Sequence, residues 1–244
     1  MDVRGKTVVV AGGAGSLGSV LVASLNERGA RVASLDMRYS REFAPEVMAI
    51  QTDIADDAAV AAALRAIAAD RGPIAALVNC AGLIHSEPLV SLTDPSQRRH
   101  RLATWEATIR ANLTATFVLG AHVAELMAST RTKGVIISFS SIAAHGNPGQ
   151  TAYAAAKAGI EAMTTVWARE LGPLGIRAVA IAPGFVATDS TRSAMSESSL
   201  SDLKRRTPLL RLAKPEEIAS AVAFAIENDF VTGTTIAVDG GLVL

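Results

Sequence analysis

The 244-residue sequence contains a single cysteine, Cys80. One cysteine forms no intramolecular disulfide and supplies too few ligands for a cysteine-based zinc site. The four histidines share no spacing typical of metal ligands; they are His85, His100, His122 and His145. We therefore expect a protein of a reducing compartment, without disulfides and without a catalytic metal.

The sequence also lacks an excess of charge of either sign and a long hydrophobic run. Lys plus Arg and Asp plus Glu number 23 each, so no net field attracts nucleic acid or an anionic membrane. No apolar stretch approaches the roughly 20 residues that a membrane span needs. Charges at Asp2, Arg4 and Lys6 stand where a signal peptide would be apolar. We expect a cytoplasmic protein whose partners include neither nucleic acid nor membrane.

Aromatic residues are scarce at 4%, whereas half of the chain is hydrophobic and 19% is charged. Apolar runs typical of buried strands alternate with segments of helical periodicity. Strands are predicted at 6–11, 31–36, 74–79, 134–139, 176–181 and 235–238, and helices at 16–28, 57–71, 104–129, 151–171 and 215–227. Because strands joined through helices form right-handed crossovers, we predict a single α/β domain over residues 1–244. Its core would be a Rossmann-type, doubly wound parallel sheet with helices on both faces.

Two irregular stretches, 84–103 and 185–212, each follow a predicted strand. Ligands of open α/β sheets bind outside the carboxyl ends of the strands, so we expect these stretches to form the walls of a substrate site. The second stretch carries Phe185, Met195, Leu200 and Leu203, an apolar set that suits either a mobile lid over the substrate or permanent core.

A glycine-rich turn lies between the first predicted strand and the first helix. Glycines at such a junction let the backbone approach a pyrophosphate, whose charge is met by free N–H groups at the helix start. The residues of this predicted cradle are Gly12, Gly15, Ser16, Leu17 and Gly18. The alternative is that the glycines serve only as a turn.

Asp36 ends the second predicted strand, where a carboxylate would bind the ribose hydroxyls of an adenosine. A carboxylate accepts hydrogen bonds from a 2′-hydroxyl and repels a 2′-phosphate, so Asp36 favours NAD(H) over NADP(H). Arg38 lies close by and would pair with a 2′-phosphate if it turned inward, which keeps NADP(H) open. The alternatives are that Asp36 is only a strand-terminal charge and Arg38 only a solvated one.

Tyr153 and Lys157 are four residues apart on a predicted helix, which places phenol and ammonium on one face. A neighbouring cation favours the phenolate, so we expect Lys157 to lower the pKa of Tyr153 and fit it for proton exchange with an alcohol or carbonyl. Ser140, at the end of the preceding strand, would hold the same substrate oxygen, and Ser141 is its competitor. Asn112 would satisfy a backbone group or a water on a proton path.

Taken together, these residues resemble the short-chain dehydrogenase/reductase family in its compact single-domain form, along essentially the whole chain. The matching pieces are the glycine loop 12–18, Asp53-Ile54, Asn79-Cys80-Ala81-Gly82, Asn112, Ser140, Tyr153 with Lys157, the stretch 183–188 and Val238-Asp239-Gly240-Gly241. The resemblance implies a catalytic tetrad of Asn112, Ser140, Tyr153 and Lys157. Ser140 is preferred to Ser141 because its distance from Tyr153 fits the family's spacing.

The resemblance also implies where a nicotinamide cofactor binds. Asp53 and Ile54 would flank the adenine, Asn79, Ala81 and Gly82 would hold the adenosine side, and Tyr153 and Lys157 would also contact the cofactor, with Lys157 on the nicotinamide ribose. Pro183, Gly184, Val186 and Thr188 would hold the carboxamide. The family resemblance further indicates a homotetramer, and Ile160, Met163 and Trp167 would form a subunit-facing surface.

The sequence departs from the family's pattern in two places. Ala11 and Ser16 stand where the glycine loop usually has threonine and a second glycine. The connection 91–104 is longer than usual and contains the basic run 98–101. Such a run beside a substrate mouth would suit the phosphates of a coenzyme A or carrier-protein thioester, and the alternative is an ordinary solvated loop.

These features predict an NAD(H)-dependent oxidoreductase that interconverts a secondary alcohol and a ketone. The basic run and a resemblance of 225–241 to 3-hydroxyacyl-CoA dehydrogenases of the family favour a 3-hydroxyacyl or 3-oxoacyl thioester as the small-molecule substrate. A sugar, a cyclic polyol or a natural-product ketone is the alternative. A non-catalytic nucleotide-binding protein is the alternative from another class, and the complete tetrad argues against it.

Overall fold

The computed structural model describes residues 1–40, 42–93 and 96–244, without the side chains of Ser190 and Ala194. Asp94 and Pro95, in the predicted long connection, lie outside the described residues. The strands are β1 (Thr7–Ala11), β2 (Arg31–Asp36), β3 (Met48–Gln51), β4 (Ile74–Asn79), β5 (Gly134–Phe139), β6 (Ile176–Pro183) and β7 (Thr234–Val238). The helices are α1 (Ser16–Glu27), α2 (Asp57–Arg71), α3 (Leu102–Ile109), α4 (Ala115–Ser129), α5 (Thr151–Leu171), α6 (Asp189–Ala194), α7 (Glu197–Arg206) and α8 (Pro215–Glu227). Within the described ranges, no helix combines the length and apolarity needed to cross a bilayer.

The strands form a seven-stranded sheet in the order β3-β2-β1-β4-β5-β6-β7, and every pairing is parallel. The chain therefore reverses its direction of winding between β1 and β4, which opens a crevice at the carboxyl ends of these two strands. The predicted Rossmann-type sheet is confirmed, and most predicted elements agree with the structure to within two residues.

Helices cover both faces of the sheet because the strands are apolar on both sides. Alternate residues of β1 illustrate this: Val8 and Val10 belong to one buried cluster and Val9 and Ala11 to the other. The first cluster includes residues of α1 and α8, and the second includes residues of α2 and α4. Burial on both faces makes the sheet a rigid platform, from whose edge the loops of the site project.

Three stretches differ from the sequence prediction. No strand was predicted where the structure has β3, which is only four residues long and alternates between half-buried and exposed residues. The helix expected over 104–129 is interrupted by a π-helical turn, Arg110–Thr114, between α3 and α4. The stretch 185–212, expected to be irregular, contains α6 and α7, which are capped by Thr188 and Ser196. Each cap side chain accepts a hydrogen bond from the backbone N–H three residues later, which stabilises even a short helix.

The predicted subunit-facing surface of α5 is partly wrong. Ile160 is 1% exposed and so faces the interior. A Cβ atom on Gly120 of α4 would lie 2.5 Å from the Trp167 ring, so that ring packs closely against α4. The large apolar side chains that α4 and α5 expose are those of Phe117 and Val166.

Candidate active site

Two adjoining cavities lie at the carboxyl edge of the sheet. One, of about 520 Å³, is lined by Asp36, Asp53 and Ile54, and the other, of about 350 Å³, by Tyr153 and Lys157. Gly12, Gly15, Cys80 and Gly82 line both cavities. We name the first the adenosine pocket and the second the reaction cleft. Together they form a continuous groove across the crevice between β1 and β4.

The glycine loop lies at the junction of the two cavities. Gly12 has φ +78°, and a Cβ there would lie 2.7 Å from the backbone nitrogen of Ala81. A Cβ on Gly18 would collide with the carbonyl oxygen of Gly12. The first turn of α1 has no side-chain cap and no acidic residue, so its free N–H groups and positive dipole face the groove. Ser16 and Leu17 open this helix and line the reaction cleft. The loop fits a pyrophosphate.

Asp36 stands at the rim of the adenosine pocket. Its Oδ2 accepts a hydrogen bond from the backbone N–H of Ala14 at 3.0 Å, and its Oδ1 accepts one from Arg38 N–H at 3.3 Å. Both oxygens keep a lone pair for further donors, which fits the paired hydroxyls of a ribose. The Arg38 side chain is exposed and lines the same pocket.

The opposite wall of the adenosine pocket is held by polar contacts that the sequence did not reveal. Asp53 Oδ1 accepts from Ala55 N–H at 2.9 Å, and Oδ2 lies 3.2 Å from the guanidinium of Arg110. Ile54, which is 8% exposed, supplies an apolar surface. Arg110 was missed because it lies 57 residues from Asp53, and only the folded chain brings the two side chains together.

Asn79, Ala81 and Gly82 form the floor between the cavities. Asn79 Oδ1 accepts from Ala81 N–H at 3.2 Å, and its amide donates to Thr116 Oγ1 at 3.0 Å. These bonds fix the turn after β4. A Cβ on Gly82 would lie 2.6 Å from Asn112 Oδ1, so the turn passes close to the next candidate residue.

Asn112 is fully buried within the π-helical turn. Its amide donates to the carbonyl oxygens of Leu83 and Thr108, each at 2.9 Å, and its Oδ1 accepts from Leu83 N–H at 3.2 Å. Asn112 therefore forms hydrogen bonds with backbone groups, which is one of the two roles expected of it; the other was binding a water on a proton path. The π-helical geometry is frequent at functional sites because it re-aims backbone carbonyls.

Tyr153 and Lys157 share one face of α5 as predicted, with the Lys157 Nζ 5.4 Å from the centre of the Tyr153 ring. The ammonium donates to Phe139 O at 2.7 Å. Burial lowers the pKa of Lys157 to about 8 and raises the pKa of Tyr153 above its usual value. The expected lowering of the phenol pKa is therefore wrong here. Desolvation raises this pKa, and the interaction that opposes the rise is the hydrogen bond with Ser141.

Ser140 lines the reaction cleft together with Tyr153, but its hydroxyl is hydrogen-bonded elsewhere. Ser140 Oγ donates to Glu161 Oε1 at 2.7 Å and lies 3.2 Å from Lys157 O. Ser141 instead forms the side-chain hydrogen bond with the Tyr153 phenol. The spacing argument that favoured Ser140 fails because it counts back from Tyr153 through the loop 142–150, whose length is free to vary. Counting residues from the end of β5 instead would have allowed Ser141 as well as Ser140.

The carboxyl end of β6 closes the reaction cleft. Pro183, Gly184, Val186 and Thr188 all line it, and Gly184 N–H donates to Val238 O at 3.0 Å. A Cβ on Gly184 would lie 2.8 Å from the Cα of Asp239, so glycine allows β6 to pass close to the chain after β7. Leu203 of the predicted lid is 7% exposed, which makes it part of the packed interior.

The basic run 98–101 is partly engaged within the protein. Arg101 Nε lies 3.2 Å from Glu87 Oε1, and Glu87 N–H donates to Gly149 O at 2.7 Å. Glu87 therefore ties the loop that follows β4 to the loop that precedes α5. Arg98 and Arg99 are exposed. Among the described residues, no group of three or more His, Cys, Asp or Glu side chains is arranged to hold a metal ion.

Comparison with known proteins identifies the family. The family model described as "Enoyl-(Acyl carrier protein) reductase" matches residues 12–243. The chain belongs to the short-chain dehydrogenase/reductase family. Members of this family are oxidoreductases that act on hydroxyl or keto groups, which confirms the predicted enzyme class.

Similar short-chain dehydrogenases/reductases match along nearly the whole chain. A 3-oxoacyl-[acyl-carrier-protein] reductase from Thermotoga maritima is 31% identical, covering 100% of both chains. A human (3R)-3-hydroxyacyl-CoA dehydrogenase is 31% identical over 99% of this chain and 97% of its own. A crystal structure of a short-chain dehydrogenase from Leptospira borgpetersenii serovar Hardjo-bovis, with bound NAD+, has a TM-score of 0.89 at 27% identity and covers 100% of this chain and 94% of its own.

Proposed function

We propose that this protein is an NAD(H)-dependent oxidoreductase that interconverts a secondary alcohol and a ketone. The observation that carries the proposal is the meeting of Ser141, Tyr153 and Lys157 in a reaction cleft that adjoins the pocket of Asp36. A glycine cradle lies between them. The similar Leptospira protein has bound NAD+, which supports the choice of cofactor.

The chemistry divides between the cofactor and the side chains. A bound nicotinamide supplies or accepts the hydride. Tyr153 donates its proton to the ketone oxygen, or takes it from the alcohol, and its raised pKa keeps the phenol protonated at neutral pH. Ser141 holds the substrate oxygen. Lys157, whose pKa is about 8, stays mostly protonated at pH 7 and stabilises the phenolate that proton transfer leaves.

The remaining site residues bind and position. Asp36 would select a ribose 2′-hydroxyl over a 2′-phosphate, and Asp53 and Ile54 would hold the adenine. Asn79, Ala81 and Gly82 shape the floor of the groove, and Asn112 fixes the chain beside Lys157. Pro183, Gly184, Val186 and Thr188 would hold the carboxamide. A ratio of kcat/KM for NADH to that for NADPH well above one, reversed in Asp36→Ala, tests the cofactor preference.

For the substrate, we propose a 3-oxoacyl or 3-hydroxyacyl thioester. The bacterial reductase and the human dehydrogenase, whose names specify such substrates, support this choice. Arg98 and Arg99 are exposed, on the stretch 84–103 that begins at Ile84 of the cleft wall, and they suit a phosphate-bearing carrier. A sugar, cyclic polyol or natural-product ketone is the second candidate, favoured by the amide side chains of Asn147 and Gln150 in the cleft wall.

We also propose that residues 1–244 act as one domain in a cytoplasmic homotetramer. Exposed Phe117 and Val166 on α4 and α5, and Phe224 on α8, support two separate subunit contacts. Light scattering after size exclusion measures the assembly, and a monomeric mass of about 25 kDa would contradict it.

The decisive experiment follows NADH absorbance with acetoacetyl-CoA and, separately, with a panel of ketoses and cyclic ketones. Rapid oxidation with the thioester that is lost in Tyr153→Phe, while NADH binding is retained, supports the full proposal. Turnover of another ketone alone would remove the thioester assignment. Turnover that survives in Tyr153→Phe would refute the proposed chemistry.

A further inference from the structure

Two consecutive serines follow β5, and they contact α5 at positions about two turns apart. Ser140 is 3% exposed, and its hydroxyl donates to Glu161 Oε1 at 2.7 Å. Ser141 forms its side-chain hydrogen bond with Tyr153. The hydrogen bonds between the end of β5 and α5 therefore determine which of the two hydroxyls reaches Tyr153.

Glu161 lies on the face of α5 that also carries Tyr153 and Lys157, because steps of four residues return to the same side of a helix. A carboxylate that accepts from a hydroxyl forms a shorter and stronger hydrogen bond than a neutral acceptor does. One turn earlier, the Lys157 ammonium donates to the carbonyl oxygen of Phe139 at 2.7 Å. The two residues that precede Ser141, Phe139 and Ser140, are thus each hydrogen-bonded to α5.

Ser141 itself has an extended backbone, with φ −165° and ψ 155°. Its Oγ accepts a hydrogen bond from Ala143 N–H at 3.1 Å. With that lone pair used by the backbone, the hydroxyl proton is directed to another acceptor, and Tyr153 is the neighbour that the structure supplies. This arrangement holds only while the backbone at Ser140 stays in place.

We propose that Glu161 is a positioning residue, which holds Ser140 and so fixes the end of β5 with the hydroxyl of Ser141, and not that of Ser140, against Tyr153. The proposal rests on the proposed function, in which Ser141 orients the substrate oxygen. It assigns Ser140 a structural role and gives Glu161 an influence on the reaction without contact with the substrate.

The test needs no substrate, because the chain contains only two tyrosines. The protein is labelled with ¹³C at tyrosine Cζ, the two resonances are assigned with Tyr39→Phe, and Tyr153 is titrated. Since Ser141 lowers the pKa of Tyr153, its loss from the phenol raises the titration midpoint. We expect Glu161→Ala to raise the midpoint by roughly half a pH unit or more, as Ser141→Ala does.

Three further variants separate positioning from general damage. Glu161→Gln keeps an acceptor at Oε1 and retains the wild-type midpoint. Ser140→Ala raises the midpoint as much as Glu161→Ala, and the double variant adds nothing further, because both changes break one contact. Glu170→Ala, at an exposed position of the same helix, leaves the midpoint unchanged.

An unchanged Tyr153 midpoint in Glu161→Ala would overturn the proposal, as would an equal shift in Glu161→Gln. If Glu161→Ala does not fold, Ser140→Ala decides the matter alone, since it removes a single oxygen, and an unshifted midpoint there also overturns it. Failure of the proposed function has a different signature, turnover that persists in Tyr153→Phe, and leaves the NMR comparison intact.

Discussion

Replacing Arg177 by methionine should lower the free energy of unfolding by about 4 kcal/mol. Arg177 lies on β6 beneath α8, and its side chain is 11% exposed. Its Nη1 donates to Ala225 O at 2.7 Å and to Val231 O at 2.9 Å, and its Nη2 donates to Ile226 O at 2.7 Å. One guanidinium thus satisfies two carbonyls in the last turn of α8 and one in the loop after it.

The magnitude follows from these three bonds. A hydrogen bond that involves a charged group contributes about 1.5–3 kcal/mol, and an orphaned buried carbonyl costs a similar amount. The ion pair with Asp229 at 3.6 Å adds little, because that carboxylate is 75% exposed. Three bonds at the low end of this range contribute about 4.5 kcal/mol. Burial lowers the pKa of Arg177, so desolvation opposes part of this gain and reduces the net effect to about 4 kcal/mol.

Urea unfolding followed by circular dichroism measures the change. Several protein concentrations are needed, because assembly makes apparent stability depend on concentration. Arg65→Met is the matched control, since Arg65 is exposed on α2 and the two residue types have similar helix propensities. A loss below about 1 kcal/mol in Arg177→Met would refute the reasoning, because water would then be replacing the guanidinium at these carbonyls.

Three further outcomes are expected. In Gly82→Ala the new Cβ would lie 2.6 Å from Asn112 Oδ1, so the floor of the groove must shift. The Kd for NADH, measured by fluorescence, should therefore rise about tenfold. An unchanged Kd would contradict the tight packing. Leu210 is 69% exposed and has φ +55°, a backbone conformation that favours glycine. Leu210→Gly should therefore stabilise the protein by roughly 0.5–1 kcal/mol in thermal unfolding, and a lower unfolding temperature would contradict this reasoning. Burial would raise the pKa of Glu87, but Arg101 outweighs it and lowers that pKa to about 2. Ionised Glu87 therefore contributes fully to the free energy of unfolding above pH about 4.5, and this contribution is lost as the pH falls toward 2. The stability deficit of Glu87→Gln should shrink over that interval. A deficit independent of pH would exclude the ion pair as its cause.

Most of the sheet was predictable because six of its strands are largely apolar runs with glycines or acidic residues near their ends. β3 was missed because it has only four residues, of which none is fully buried. The helices of the 185–212 stretch were missed although their signals are present. Thr188 precedes Asp189 and Ser196 precedes Glu197, each a cap followed by an acidic first turn. Apolar residues in that stretch were interpreted as a lid, and this interpretation obscured the caps.

The choice between Ser140 and Ser141 could not be made from sequence spacing. The residues between β5 and α5 form a loop, and one residue more or less in it changes the count without moving either element. The deciding contact, between Ser140 and Glu161, joins residues 21 positions apart through the packing of α5 on the sheet. The π-helical turn at Asn112 was likewise hidden, because it spans only five residues, Arg110–Thr114, between two α-helical segments.

Tyr153 and Lys157 lie on one helix that is packed along the sheet, whereas the surrounding walls are made by the loop after β4 and by the 185–212 stretch. The distance between the Tyr153 phenol and the Lys157 ammonium is therefore set by helical geometry and does not depend on the length or sequence of either wall. An engineer can exchange wall segments to admit a different ketone while the proton-transfer pair keeps its dimensions. The same division would let natural variants acquire new substrates by insertion or deletion at the rim.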